Sequence, residues 1–154
     1  MDWEGRRSAR GLTVLGFCLA TAIAPGCGGD KNPLGPHMEN VVVFRHDARF
    51  SGLARFAVFV TDFTVPESGS LRVTVDWTFS TNDIDLVLSN PACDAVALAA
   101  GACKVLGSDK SNGKPAQLTL SSSATAYRLF VVNRGPESES GTVAATVTQT
   151  RLVP

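Results

Sequence analysis

The residues with the clearest potential for chemistry are two closely spaced acidic side chains, Asp83 and Asp85, in the segment Asn82-Asp83-Ile84-Asp85. Carboxylates two positions apart on a strand leave the same face, about 6–7 Å from each other. Two such oxygen donors beside a loop could belong to a Ca²⁺ site, which needs about six to eight oxygen ligands. The alternative is that both carboxylates face water or accept hydrogen bonds from loop amides at the start of the strand. We hypothesise that Asp83 and Asp85 bind Ca²⁺, and we expect no other cofactor.

A second group, His46-Asp47, contains two of the three residue types of a serine hydrolase triad. The chain has only one other His, His37, and it lacks the Gly-x-Ser-x-Gly turn that presents a nucleophilic serine. It also lacks a Gly-rich phosphate loop and a His-x-x-x-His metal pair. We therefore predict a protein that is not an enzyme and has no catalytic residues, with a small hydrolase as the minor alternative.

The N-terminal region has the features of a secretory signal. Residues 1–10 carry three Arg against two acidic residues, and residues 11–24 contain no charge. Fourteen helical residues rise about 21 Å, which is short of the roughly 30 Å hydrocarbon core of a bilayer. The pattern indicates a signal peptide over residues 1–26 rather than a membrane span or a buried core helix.

The end of that signal, Ala24-Pro25-Gly26-Cys27, resembles a bacterial lipobox, in which cleavage precedes a Cys that is then lipidated. The resemblance implies an exported lipoprotein anchored through Cys27, since each buried CH₂ of an acyl chain contributes about 0.8 kcal/mol. Gly28, rather than Asp, favours the outer membrane or cell surface over the inner membrane. The alternative is ordinary cleavage that leaves Cys27 as a thiol. Residues 27–39 are predicted to be the lipidated Cys and a flexible, Gly- and Pro-containing tether.

With Cys18 in the predicted signal peptide and Cys27 as the predicted lipid site, Cys93 and Cys103 are the remaining pair of the four Cys. An exported protein with one remaining pair most simply forms one disulfide. A metal pair or a thiol catalyst is the alternative, but the only His residues, His37 and His46, are far along the chain. We predict a Cys93–Cys103 disulfide, which is worth roughly 2.8 kcal/mol for a loop of this length.

Composition and charge exclude several classes of protein. The chain has 154 residues and is 44% hydrophobic, which is too apolar for a disordered protein. Its 14 basic and 14 acidic residues balance, and removal of residues 1–26 leaves 11 basic and 12 acidic groups. This balance gives no electrostatic attraction for nucleic acid. We expect the partners to be the membrane, through the lipid anchor, and an envelope protein or a glycan.

The sequence pattern predicts that short antiparallel strands position the acidic residues and the Cys pair described above. In residues 71–79 apolar side chains alternate with polar ones, which predicts a strand with one buried face. Residues 56–65 are apolar on both faces and predict a central strand, whereas residues 41–44 predict an edge or opening strand. Further strand patterns cover residues 84–88, 117–120, 126–133 and 142–148. About eight short strands imply an antiparallel sandwich or barrel, with most of the Phe side chains, Trp77 and Tyr127 in its core.

Four segments of this region resemble the bacterial pre-peptidase C-terminal domain family. Asp76-Trp77 and Asp83-Ile84-Asp85-Leu86 carry most of the resemblance, and the matching stretches are residues 62–66, 68–77, 82–88 and 126–133. The family implies a jelly-roll-like β-sandwich that serves as a noncatalytic accessory module. We therefore expect residues 40–154 to form an all-β, antiparallel, jelly-roll-like β-sandwich of about eight strands that binds a partner at the cell envelope. The alternative is a structural envelope subunit or an inhibitor of a secreted enzyme.

Overall fold

The structure is a computed structural model, and it describes residues 35–154. The predicted signal peptide, Cys27 and most of the predicted tether lie outside this range. The described part of the chain contains eight strands and one short helix, namely β1 (His37–Leu53), β2 (Val58–Thr64), β3 (Gly69–Trp77), β4 (Ile84–Ser89), α1 (Ala95–Ala99), β5 (Val105–Asp109), β6 (Ala116–Ser122), β7 (Ala126–Asn133) and β8 (Glu139–Val153). Over residues 35–154, no helix is long and apolar enough to cross a membrane.

The strands form two four-stranded antiparallel sheets. Sheet A has the strand order β1-β8-β3-β6, and sheet B has the order β2-β7-β4-β5. Except for β4 and β5, which are neighbours in sheet B, consecutive strands lie in different sheets, so the chain crosses repeatedly from one layer to the other. Eight strands connected in this order form a jelly roll. The predicted fold class is therefore confirmed.

The core lies between the two sheets and follows the period-2 pattern of the strands. Leu71, Val73, Val75 and Trp77 of β3 all point inward and are buried, as the alternation in the sequence predicts. Opposite them, sheet B contributes the inward side chains Phe63, Ile84, Leu86, Leu88, Tyr127, Leu129 and Val131. Trp77 and Tyr127 are both in this core, which confirms the prediction made for them.

The first and last strands are longer than the sequence pattern predicts. β1 begins at His37, inside the segment predicted as tether, because His37, Met38 and Glu39 pair with the end of β8. β8 runs to Val153, well beyond the predicted end at residue 148. Both additions are cross-strand pairings between distant parts of the chain, and local alternation does not reveal them.

The predicted central position of the strand at residues 56–65 is wrong. The corresponding strand, β2, is at an edge of sheet B, and within residues 35–154 it pairs with β7 alone. Its two-sided apolar pattern has another cause: Phe59 and Phe63 pack in or against the core, whereas Val58 and Val60 remain exposed on the outer face. β5, a strand that the sequence did not predict, forms the other edge of sheet B.

Candidate binding cleft

The predicted disulfide between Cys93 and Cys103 is present, with a Cα–Cα distance of 5.5 Å. It closes a segment, residues 93–103, that contains α1; we call it the disulfide segment. Asp94 begins the helix by accepting a hydrogen bond from the Ala97 amide at 2.7 Å. Helix α1 has no buried residue of its own, so it depends on the disulfide and on packing at its base.

The disulfide segment covers part of the outer face of sheet B. Phe130 of β7 and Val87 of β4 point to this face, yet Phe130 is 0% exposed. They form a small second core with side chains of the segment, namely Cys93, Leu98 and Cys103. Sheet B is therefore buried on both faces along β4 and β7.

Arg128 fixes the disulfide segment to the sheet. Its guanidinium donates to both carboxylate oxygens of Asp62 on β2, each at 2.7 Å, and to the backbone carbonyl of Cys93 at 2.8 Å. The hydrogen bonds from Arg128 lower the pKa of Asp62 below its ordinary value. One side chain thus links the edge strand, the strand beside it and the disulfide.

A cleft of about 360 Å³ remains between the disulfide segment and the edge of sheet B. We call it the outer cleft. Its apolar floor and walls are formed by Phe56, Val58, Val87, Leu98 and Val132, and its charged end by Asp85, Lys110 and Arg134. A concave apolar surface with a few converging polar groups is the usual form of a binding site.

Phe56 is the most unusual residue of the outer cleft. Its φ is +62°, a value that a non-Gly residue adopts at a steric cost, and its side chain is 58% exposed. A tight turn places it there, because the Ala57 amide donates to the Ala54 carbonyl and the Phe56 amide donates to the Asn133 carbonyl. The Arg55 guanidinium lies 4.6 Å from the centre of its ring. Phe56 is therefore an exception to the prediction that most Phe side chains are in the core.

Phe79, in the β3–β4 connection, is the second exposed Phe, at 50%. Its backbone amide donates to the Glu139 carboxylate, and its carbonyl accepts a hydrogen bond from the Trp77 indole at 2.9 Å. Its backbone is therefore held by ordinary hydrogen bonds, and its φ is not in the positive region. Phe79 serves as the natural comparison for Phe56.

The charged end of the outer cleft contains one of the two predicted Ca²⁺ ligands. Asp85 is largely buried and forms an ion pair with Arg134, whose Nε lies 3.1 Å from its carboxylate. Asp83, just before β4, has one buried carboxylate oxygen without a hydrogen-bond partner. Burial, followed by the nearby charge of Asp85, raises the pKa of Asp83 above its ordinary value.

The Ca²⁺ hypothesis for Asp83 and Asp85 stays a prediction. In residues 35–154, no group of three or more His, Cys, Asp or Glu side chains is arranged to hold a metal ion. Any ion there would need backbone and water oxygens to complete its shell. Melting of the protein in Ca²⁺ and in EDTA tests the hypothesis, and an unchanged midpoint would remove it.

Asn82, which stands beside these carboxylates in the sequence, belongs to a different cluster. Its amide donates to the Glu139 carboxylate at 2.7 Å and to the Glu137 carbonyl at 3.0 Å. Glu139 is fully buried and also accepts from the Thr78 and Phe79 amides. Sequence reasoning missed Glu139, because it stands in a Ser/Glu-rich stretch that resembles an exposed loop. This cluster ties the β3–β4 connection to the β7–β8 connection and the start of β8, and it has a structural role.

The structure does not bring His46 and Asp47 together. Successive residues of β1 point to opposite faces, so the His46 ring lies 3.0 Å from the Thr61 hydroxyl and stacks near Phe63. Asp47 instead accepts a hydrogen bond from Arg45 on the outer face of sheet A. The His–Asp contact that a triad requires is therefore missing from this pair.

The outer face of sheet A is polar, and no segment of residues 35–154 covers it as the disulfide segment covers sheet B. Thr74, Thr119 and Thr146 stand on three neighbouring strands, and Arg72 donates to Gln117 at 2.5 Å. A depression of about 590 Å³ on this face is lined mainly by short and charged side chains of β1 and β8. Its apolar lining consists of Ala48, Val143 and Ala144, whereas the lining of the outer cleft includes the aromatic ring of Phe56.

No family model and no curated protein matches the sequence. Among solved structures, the pre-peptidase C-terminal domain of a collagenase from Bacillus anthracis aligns with 13% identity and a TM-score of 0.46, covering 68% of this chain and 89% of that domain. A periplasmic inhibitor of g-type lysozyme from Aeromonas hydrophila aligns with 16% identity and a TM-score of 0.39, covering 75% of this chain and 89% of the inhibitor. These likenesses concern the β-sandwich alone, so we infer the function from the residues of this chain.

Proposed function

We propose that this protein is an exported, lipid-anchored and noncatalytic binding module of the cell envelope, and that its outer cleft holds an apolar side chain of a protein partner. The observation that carries the proposal is Phe56, an exposed aromatic residue held at positive φ above an apolar floor. Strained backbone of this kind costs about 1–3 kcal/mol and concentrates at functional sites. In the free protein the exposed Phe56 ring has a cation–π contact with Arg55, but it is not part of the core.

The lining of the outer cleft favours a protein partner over a glycan. Its floor consists of Val side chains, and its polar groups are charged rather than hydroxyl or amide groups. Anchor pockets for protein side chains combine an apolar interior with a charged rim, and aromatic residues dominate their binding energy. Both a structural envelope subunit and an inhibitor of a secreted enzyme would use such a pocket, and a glycan array tests the remaining alternative.

Export and anchoring rest on the N-terminal sequence. The charged start, the apolar stretch and the lipobox-like segment ending at Cys27 support a lipoprotein signal. Radiolabelled fatty acid should be incorporated into the protein in its native host and lost in the Cys27→Ala variant. No incorporation into the unmodified chain would contradict the anchor.

Site-specific photo-crosslinking tests the cleft. We expect p-benzoylphenylalanine at position 56, introduced into the full chain in its native host, to crosslink to one envelope protein. The matched control is the same substitution at position 79, since Phe79 is nearly as exposed but does not line the cleft. Equal products from both positions, or none from position 56, would contradict the proposal.

The noncatalytic role is tested separately with a serine-reactive activity probe. We expect no labelled residue, because His46 bonds to Thr61 and Asp47 to Arg45. Labelling of a single Ser would overturn this part of the proposal while leaving the crosslinking result intact.

A further inference from the structure

The charged end of the outer cleft carries more positive than negative charge. The lining contains two cations, Lys110 and Arg134, and one carboxylate, Asp85. The Asp85 carboxylate is already paired with Arg134, whereas Lys110 is exposed and has no ion-pair partner within residues 35–154. Arg55 and Asp83, which are close in the sequence to lining residues, have opposite charges and leave this balance unchanged. The lining therefore has one positive charge in excess.

Arg134 has hydrogen-bond donors available for a second anion. Within residues 35–154, its side chain donates through Nε alone, to the Asp85 carboxylate at 3.1 Å. About half of the side chain, 49%, is exposed. A guanidinium has five donors in a planar fork that matches the two oxygens of a carboxylate. The Nη groups of Arg134 are therefore available to bind a second carboxylate while its Nε holds Asp85.

The backbone beside the charged end favours a side-chain carboxylate over the carboxylate of a chain terminus. Sites for a terminal carboxylate are built from backbone amides that point at it. Here the amides of Arg134 and Gly135 already donate to the Asp83 carbonyl, at 2.8 and 3.2 Å. A volume of about 360 Å³ is at the lower end of the range for ligand sites, and it suits two neighbouring side chains better than a long acyl chain.

We propose that the outer cleft binds an apolar side chain of the protein partner together with the carboxylate of a neighbouring Asp or Glu. The apolar side chain packs against Phe56 and Val58, and the carboxylate lies between Lys110 and the Nη groups of Arg134. The charge balance carries this assignment, because one carboxylate neutralises the one excess positive charge of the lining. The recognition rests on the proposed function, for which it names the chemistry of the partner.

Two photoreactive peptides test the charge preference. Both are biotinylated, have blocked termini and contain photo-leucine, which is followed by Asp in one peptide and by Lys in the other. The full chain is kept in envelope vesicles from its native host, so that no detergent competes for the cleft. We expect the Asp peptide to label the chain about fivefold more than the Lys peptide does. Mass spectrometry should map the labelled residues to the cleft lining, and added salt should reduce the preference.

Charge reversal at Lys110 tests the residue itself. The Lys110→Glu variant should reverse the preference, so that the Lys peptide labels the chain more than the Asp peptide does. Since Lys110 is exposed and has no ion pair in the described part of the chain, we expect the variant to fold normally. The matched control is Lys104→Glu, an exposed Lys outside the cleft lining, which should keep the preference for the Asp peptide.

Several outcomes would overturn the assignment. These are no labelling, equal labelling by the two peptides, labelled residues outside the lining, and a preference that Lys110→Glu leaves unchanged. Stronger competition by oleate than by an unlabelled Asp peptide would also overturn it, because a fatty acid too combines an apolar chain with a carboxylate. The crosslink from position 56 to an envelope protein does not depend on these peptides. If that crosslink forms while the peptides show no charge preference, the acidic recognition fails and the proposed function stands.

Discussion

The outer faces of the two sheets differ in which side chains they carry and in whether a segment of the chain covers them. The outer face of sheet A follows the simple rule for antiparallel sheets: apolar residues point inward, and Thr, Arg and Asp point to water. On sheet B, the central strands carry apolar residues on both faces, and the disulfide segment covers Phe130 and Val87. The cover ends before β2. Within residues 35–154, the difference leaves apolar side chains of sheet B beside the disulfide segment, and these line the outer cleft.

The largest expected difference between the faces is at Phe130. Phe130→Ala removes a side chain that is fully buried on the outer face of sheet B, and it should lower the free energy of unfolding by about 3–5 kcal/mol. Thr146→Ala, at a half-buried position on the outer face of sheet A, should change it by about 1 kcal/mol or less. Urea denaturation measures both. Similar losses for the two variants would mean that the two outer faces do not differ as described.

Removal of the disulfide should have the next largest effect. The Cys93→Ala/Cys103→Ala double variant should lose about 3 kcal/mol through loop entropy. Because the disulfide segment covers only sheet B, amide hydrogen exchange should increase in β4 and β7 and remain unchanged in β3 and β8. Faster exchange in both sheets to the same extent would contradict a local role for the cover.

Phe56→Gly should increase stability while it abolishes binding in the outer cleft. Gly adopts a φ of +62° without the steric cost that Phe has, so we expect a gain of up to about 1 kcal/mol in thermal unfolding. Phe79→Gly is the control, and it should give no gain because Phe79 has no positive φ. A loss of stability in Phe56→Gly equal to that in Phe79→Gly would show that the backbone at position 56 is not strained.

The smallest effect is expected at Asp83. The raised pKa of its carboxyl means that burial disfavours the charged form, so the charge reduces stability at neutral pH. Asp83→Asn should therefore be slightly more stable than the unmodified protein at pH 7. The difference should shrink as the pH falls through the raised pKa toward the ordinary value, since protonation then relieves the same penalty. A difference that is constant across acid pH would exclude this cause.

The sequence predicts the parts of the molecule that depend on local pattern. Alternation places Leu71 and Trp77 in the core, and cysteine parity predicts the Cys93–Cys103 disulfide. The outer cleft is not predictable in this way, because the exposure of Phe56 follows from a tight turn and a hydrogen bond to Asn133. The spacing of Asp83 and Asp85 in the sequence identifies Asp85 as a candidate Ca²⁺ ligand. Its ion pair with Arg134, however, depends on how β4 packs beside β7. Local pattern identifies a buried strand, but tertiary contacts decide which of its faces has a cover.

The pairing of the first and last strands has a consequence for the order of folding. β1 is at an edge of sheet A and has a single neighbour, β8, so that His37 pairs with Val153. A growing or translocating chain cannot give β1 its hydrogen bonds until the residues of β8 emerge. Contacts between such distant residues form late and slowly. In a chain of this topology, β1 therefore gains its place in sheet A only after the last strand has been synthesised.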